Sequence, residues 1–223
     1  MPNSVQITKV SSFRYWYLWS EMTVIFCVLP LSVYMLIGEV ASYLMVMLFS
    51  VGVICLCVLL VDKQFNRQRL VNWRFEKSQL ISCLSWFIPL SVLMSISLYF
   101  IAPEEFMRWP MQETGLWLTT LIVYPIVSVI PQELIFRTFF FHRYKPLLPS
   151  KYTRWGVSTF LFGLAHVVYG NWIAVILSWC GGALFGYRYI KTRSTPAVVL
   201  EHTLWGSFLF TVGFGSYLVV ATR

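Results

Sequence analysis

The chain has 223 residues, of which 58% are hydrophobic and only 12% charged, and its mean hydropathy is +0.69; soluble domains carry about a quarter charged residues, so that class is excluded. The apolar residues fall in blocks close to the ~20 needed to cross about 30 Å of hydrocarbon, and they use the whole chain, leaving no room for a separate soluble domain. The net charge of +8 is gathered at one set of block ends, which marks orientation and contact with anionic headgroups and not a nucleic-acid footprint.

In chain order, the first apolar stretch covers residues 15–37, follows Lys9 and Arg14, and carries Glu21 at a depth from which it can reach the inner interface. It is long enough to span and no small-residue cleavage site follows it, so no cleavable signal peptide is expected. The second stretch, 40–61, leads into a connection rich in Lys63, Arg67, Arg69, Arg74 and Lys77, whose Val71, Trp73 and Phe75 are suited to lie on the membrane surface. After the third stretch, 80–102, come Glu104, Glu105 and Glu113 with only Arg108 among them. The fourth, 115–141, ends at Arg143 and Lys145, with His142 as a headgroup contact. The fifth covers 155–169 and runs outward, and the sixth, 171–189, returns to the side of Arg143 with Arg188, Lys191 and Arg193 at its end; Gly182 and Gly186 give a Gly-x-x-x-Gly spacing suited to close helix approach. The seventh stretch, 196–221, ends at Arg223.

Seven spans with a cytoplasmic N-terminus put every basic cluster inside, as the positive-inside rule requires. The expected fold is therefore all-α: a polytopic transmembrane helical bundle forming one integral membrane domain over residues 1–223. Its five cysteines lie in apolar blocks, which argues against a disulfide framework or a thiolate metal site.

Ionisable residues at bilayer depth cost roughly 2.5–3.5 kcal/mol each on insertion scales and usually face a cavity or a partner. Here they are Glu133 and Arg137 beside Gln132 in the fourth span, His166 in the fifth, and Glu201 and His202 in the seventh. At 1.5 Å per residue, Glu133 lies about 15 Å, His166 about 16 Å and His202 about 9 Å from the cytoplasmic end of its span. Three helices thus bring a carboxylate and two imidazoles to one layer, where acid–base chemistry on water and stabilisation of an oxyanion are both available. Such a site is expected to open toward the cytoplasm. Taken singly, each residue has a structural explanation: an i,i+4 ion pair for Glu133 and Arg137, a helix-linking hydrogen bond for His166, and a local polar pair for His202 with Glu201. No His-Glu-x-x-His helix supplies metal ligands at fixed spacing, so no metal and no other cofactor is expected.

The run Pro131-Gln132-Glu133-Leu134-Ile135-Phe136-Arg137, then Phe162-Gly163-Leu164-Ala165-His166, then His202 in the last span resembles the CPBP intramembrane protease family, which includes type II CAAX prenyl endopeptidases and the Abi group of bacteriocin-processing or immunity proteins. The resemblance covers residues 123–210, the family-like catalytic core. It implies an intramembrane endopeptidase acting without metal on a membrane-associated protein or peptide near the cytoplasmic face, in a membrane of the bacterial inner type. The implied roles are Glu133 as base with Arg137 orienting it, His166 holding water, His202 on the oxyanion side and Gln132 as a supporting donor. Two departures stand out. The family's first glutamate is Gln132 here, and its asparagine four residues after the last histidine is Gly206. Ser207 and Asn171 are the candidates to replace that asparagine. An amide cannot act as a general base, so a second reading is a family member without hydrolysis, serving as a membrane binding or immunity partner. A third is a proton-coupled carrier built on the same polar network.

Overall fold

The computed structural model describes residues 11–73 and 76–220; the expectations placed on Lys9, Arg74, Phe75 and Arg223 lie outside the described residues. The described chain is helical, without strand, and its long helical segments follow the apolar stretches. They are α1 (Ser12–Met35), α2 (Ile37–Val61), α3 (Lys77–Ile101), α4 (Thr114–Arg143), α5 (Lys151–Ala165), α6 (Trp172–Thr192) and α7 (Thr195–Val212). Among the described residues five of them, α1 to α4 and α6, are long and apolar enough to cross a membrane. The protein is an all-α helical bundle and an integral membrane protein.

Polar caps start the helices where the sequence leaves the interface. Ser11, Ser150, Asn171 and Ser194 each accept a backbone N–H from the first turn of α1, α5, α6 and α7, satisfying donors that the helix itself cannot. At its far end α7 stops at Gly213, whose φ of 127° and close approach to the Glu105 carbonyl leave no space for a side chain. Met107 N–H donates to Val212 O at 2.9 Å in the same junction.

The second half of α4 is the axis of the molecule. From Ser128 to Phe141 every residue except Ile130 is buried, with Phe26, Phe136, Phe140 and Tyr144 meeting edge to face or tilted. Apolar side chains on α1 to α3, such as Val46, Ile54 and Phe100, face outward instead, as lipid contact demands. Close backbone packing uses glycine. A Cβ on Gly52 of α2 would sit 2.8 Å from the Pro131 Cβ of α4, and Gly182 and Gly186 of α6 lie against Thr159 and Trp155 of α5.

Three polar pairs fasten the helices together at the end that carries the basic clusters. Glu21 takes a two-pronged contact from Arg143 at 2.9 and 2.7 Å and one from Tyr144 at 3.1 Å, joining α1 to α4. His142 bonds Asp62 at 2.8 Å, where a headgroup contact was expected. Glu201 is gripped by Arg188 at 2.8 and 3.1 Å, so its partner is a neighbouring helix and not the adjacent His202.

Candidate active site

Local distortion of α4 sets the site. Pro125 and Pro131 have no N–H to give, and wider i→i+5 turns run over Pro125–Val129 and Leu134–Phe139 on either side of Ile130–Glu133. Tyr124, Ser128 and Gln132, spaced by four, line the larger cavity. The Gln132 amide nitrogen donates to Ser128 Oγ at 2.7 Å, while its carbonyl oxygen is buried without a protein partner.

Glu133 and Arg137 point instead into the bundle, and both side chains are fully buried. Glu133 Oε1 lies 2.7 Å from His202 Nδ1, and Oε2 lies 3.3 Å from Arg137 Nε. Arg137 reaches Ser158 Oγ at 3.5 Å, and that hydroxyl donates to Phe136 O at 2.6 Å. The guanidinium carbon stands 4.6 Å from the centre of the Phe162 ring, a favourable face for a cation. Fixed in this way, the arginine sits beside one oxygen of the carboxylate, and the other oxygen accepts a hydrogen bond from His202 Nδ1–H. The His202 ring is stacked on Phe185, with centroids 4.3 Å apart and planes at 20°.

His166 terminates α5 and donates Nδ1–H to Phe162 O at 2.7 Å. Both imidazoles therefore spend Nδ1 on the protein and keep Nε2, the remaining lone-pair nitrogen, for the cavity that both line. The structure brings Gln132, Glu133, Arg137, His166 and His202 into one neighbourhood, but not on equal terms. Gln132, His166 and His202 line the cavity; Glu133 and Arg137 stand behind it.

That cavity holds about 780 Å³ and runs between α3, α4, α6 and α7 from His202 to Trp109, Leu116 and Phe214. A smaller one of about 130 Å³, between α1, α2, α4 and α5, also touches Gln132 and His166. Both occupy the half of the bundle away from the basic ends. On the other side of the Glu133–His202 pair, Phe139, Phe140, Phe141 and Tyr144 fill the space. The expectation of a site open toward the basic ends, which the positive-inside rule predicts to be cytoplasmic, thus differs from the packing observed. The position of a residue along its helix defines the layer but not which side of that layer is filled.

Among the described residues no group of three or more His, Cys, Asp or Glu side chains gathers as a metal site would. Of the two candidates to replace the asparagine, Asn171 is occupied: it caps α6 at Ala174 N and donates to Tyr217 O at 2.9 Å. Ser207 is not among the cavity-lining residues. The space beside Gly206 is taken by Tyr124, since a Cβ at Gly206 would collide with its phenol oxygen. Tyr124 was not singled out from sequence, although the four-residue spacing Tyr124, Ser128, Gln132 was there to be read.

Residues 114–208, which span α4 to α7, match the family model described as type II CAAX prenyl endopeptidase Rce1-like. The match covers the helices that carry the motifs, and similarity to CAAX-type intramembrane proteases holds at the level of the family. No curated protein and no solved structure matches the chain.

Proposed function

We propose that the protein is an intramembrane endopeptidase that hydrolyses a peptide bond of a membrane-associated polypeptide, with residues 123–210 as the catalytic core of a single domain, 1–223. The observation that carries this reading is the bond between Glu133 and His202 at the inner end of a cavity that His166 also lines. A carboxylate on Nδ1 fixes the imidazole tautomer, orients the ring and stabilises the imidazolium that forms when Nε2 takes a proton. Glu133, fully buried and facing His202 and Arg137, accordingly acts through His202, which is the base. His166 Nε2 accepts the second proton of the attacking water in a hydrogen bond. This reassigns roles within the expected set: the glutamate is a positioning residue and the histidine beside it takes the proton. The apolar cavity walls suit an extended chain carrying a lipid or apolar side chains. The setting is a bacterial inner membrane, with the N-terminus and the basic ends in the cytoplasm.

A second reading rests on Gln132. Its amide cannot accept a proton from water, and its buried carbonyl oxygen is without a partner, which suits a protein that binds a polypeptide and does not cut it. Terminal-peptide mapping of membrane proteins from cells with wild type, His202→Ala, Glu133→Ala and Gln132→Glu separates the two. Termini present with wild type and reduced about 10²- to 10⁴-fold in His202→Ala, the range for loss of a positioned base, are expected. Termini that arise only with Gln132→Glu would discard the endopeptidase reading in favour of the binding one.

A further inference from the structure

Hydrolysis at this site requires a hydrogen-bond donor where the carbonyl oxygen gains charge, and neither the neutral imidazoles nor Arg137 supplies one. In its neutral form each imidazole, with its Nδ1 proton given to a carboxylate or a carbonyl, presents a lone pair at Nε2. The Gln132 amide gives one of its two N–H groups to Ser128. Arg137 is sealed behind Glu133.

Tyr124 lies across from His202, with ring centroids 6.1 Å apart at 76°. Its ring is held edge to face by Phe210 at 5.0 Å, and the residue lines the cavity with His202 and Gly206. Gly206 is one turn beyond His202 on the same face of α7, and only a residue without a Cβ admits the Tyr124 phenol there. Among the described residues the hydroxyl makes no hydrogen bond to the protein. A donor without a partner, beside the candidate base, is therefore presented to the cavity.

We infer that Tyr124 is a catalytic residue whose phenol donates to the oxyanion, in the position left open by Gly206. The inference rests on the endopeptidase reading above. The water oxygen bonds to the carbonyl carbon as its proton passes to His202 Nε2, and the C=O electron pair moves onto oxygen, where the Tyr124 O–H hydrogen bonds to it without giving up its proton. Collapse re-forms C=O and breaks the C–N bond as His202 returns the proton to the leaving nitrogen. Water is consumed, and a carboxyl and an amine terminus result.

The test compares wild type, Tyr124→Phe, Tyr124→Ala and the double variant Tyr124→Ala with Gly206→Asn, purified in detergent and assayed on a farnesylated peptide and on a synthetic peptide spanning any terminus mapped in cells. Tyr124→Phe keeps the ring contacts, and its thermal melting reports whether it folds as wild type does. Loss of one oxyanion donor should lower kcat about 10²- to 10³-fold with little change in KM, and the asparagine of the double variant should recover at least ten-fold, or about 1.4 kcal/mol, over Tyr124→Ala. Wild-type kcat in a folded Tyr124→Phe that still depends on His202 would overturn the role of Tyr124 and leave the endopeptidase reading standing. Absence of cleavage by wild type on both peptides would overturn the two together.

Discussion

Buried ionisable side chains were the clearest signal in the sequence at the scale of single residues, because few explanations exist for Glu133, Arg137, His166 and His202 at bilayer depth. The structure brings all four together, yet their order of access was not legible: a sequence gives the depth of Glu133 but not that its carboxylate faces His202 and leaves the cavity to Gln132. The same holds at the rim. His142 reads as a headgroup contact until α2 is seen to deliver Asp62 to it. That hydrogen bond, with a further one from Gln64 N at 2.8 Å, holds the Asp62 carboxyl below its ordinary value. A carboxyl lowered in the folded state adds stability above its unfolded pKa of about 4, and the gain disappears as pH falls through the folded value. Melting temperatures of wild type and Asp62→Asn in detergent should therefore differ most at neutral pH and converge as the solution is acidified below about pH 4. A difference that widens with acid would refute the assignment.

At the scale of elements, the extents of the helices followed from apolar block length, and the end of each was marked by charge or by a cap residue. Contacts between helices were legible only where small residues recur. The Gly182 and Gly186 spacing read as a close approach, and α5 does lie on that face. By contrast, nothing in the pattern of α4 marked its second half as surrounded on all sides, since outward-facing and inward-facing apolar residues look alike in a lipid solvent. The Gly186 contact is tight: an added Cβ would lie 2.5 Å from Trp155 Cδ1, and Trp155 cannot swing away without losing its 2.9 Å hydrogen bond to Ala183 O. Gly186→Leu is expected to cost about 1–3 kcal/mol, as overpacking does, seen as a lower melting temperature; an unchanged one would mean that α5 and α6 are less closely seated than described.

The whole molecule has a polarity along its axis. Pairs such as Glu21–Arg143 and a packed aromatic plug occupy one end, and two cavities occupy the other. Charge asymmetry was legible in the sequence, and the positive-inside rule predicts that the plugged end faces the cytoplasm; the location of empty space was not legible, because it depends on how α1 to α7 tilt and bend together. Single cysteines at Lys63, Lys145 and Glu113, in a background freed of the native ones, test the assignment with a membrane-impermeant maleimide. Position 113 should react in intact cells and positions 63 and 145 only after permeabilisation. The reverse pattern would invert the molecule and turn its cavities toward the cytoplasm.

The bond that joins Glu133 to His202 crosses 69 residues of sequence, and this has a bearing on synthesis. When α4 leaves the ribosome and enters the bilayer, α7 has not yet been made, and the only countercharge within reach of Glu133 is Arg137, one turn along the same helix. Two charges that would each oppose insertion can thus travel as a locally neutral pair. The His202 imidazole arrives only after α1 to α6 have been made, so α4 enters the membrane with its chemistry still disassembled.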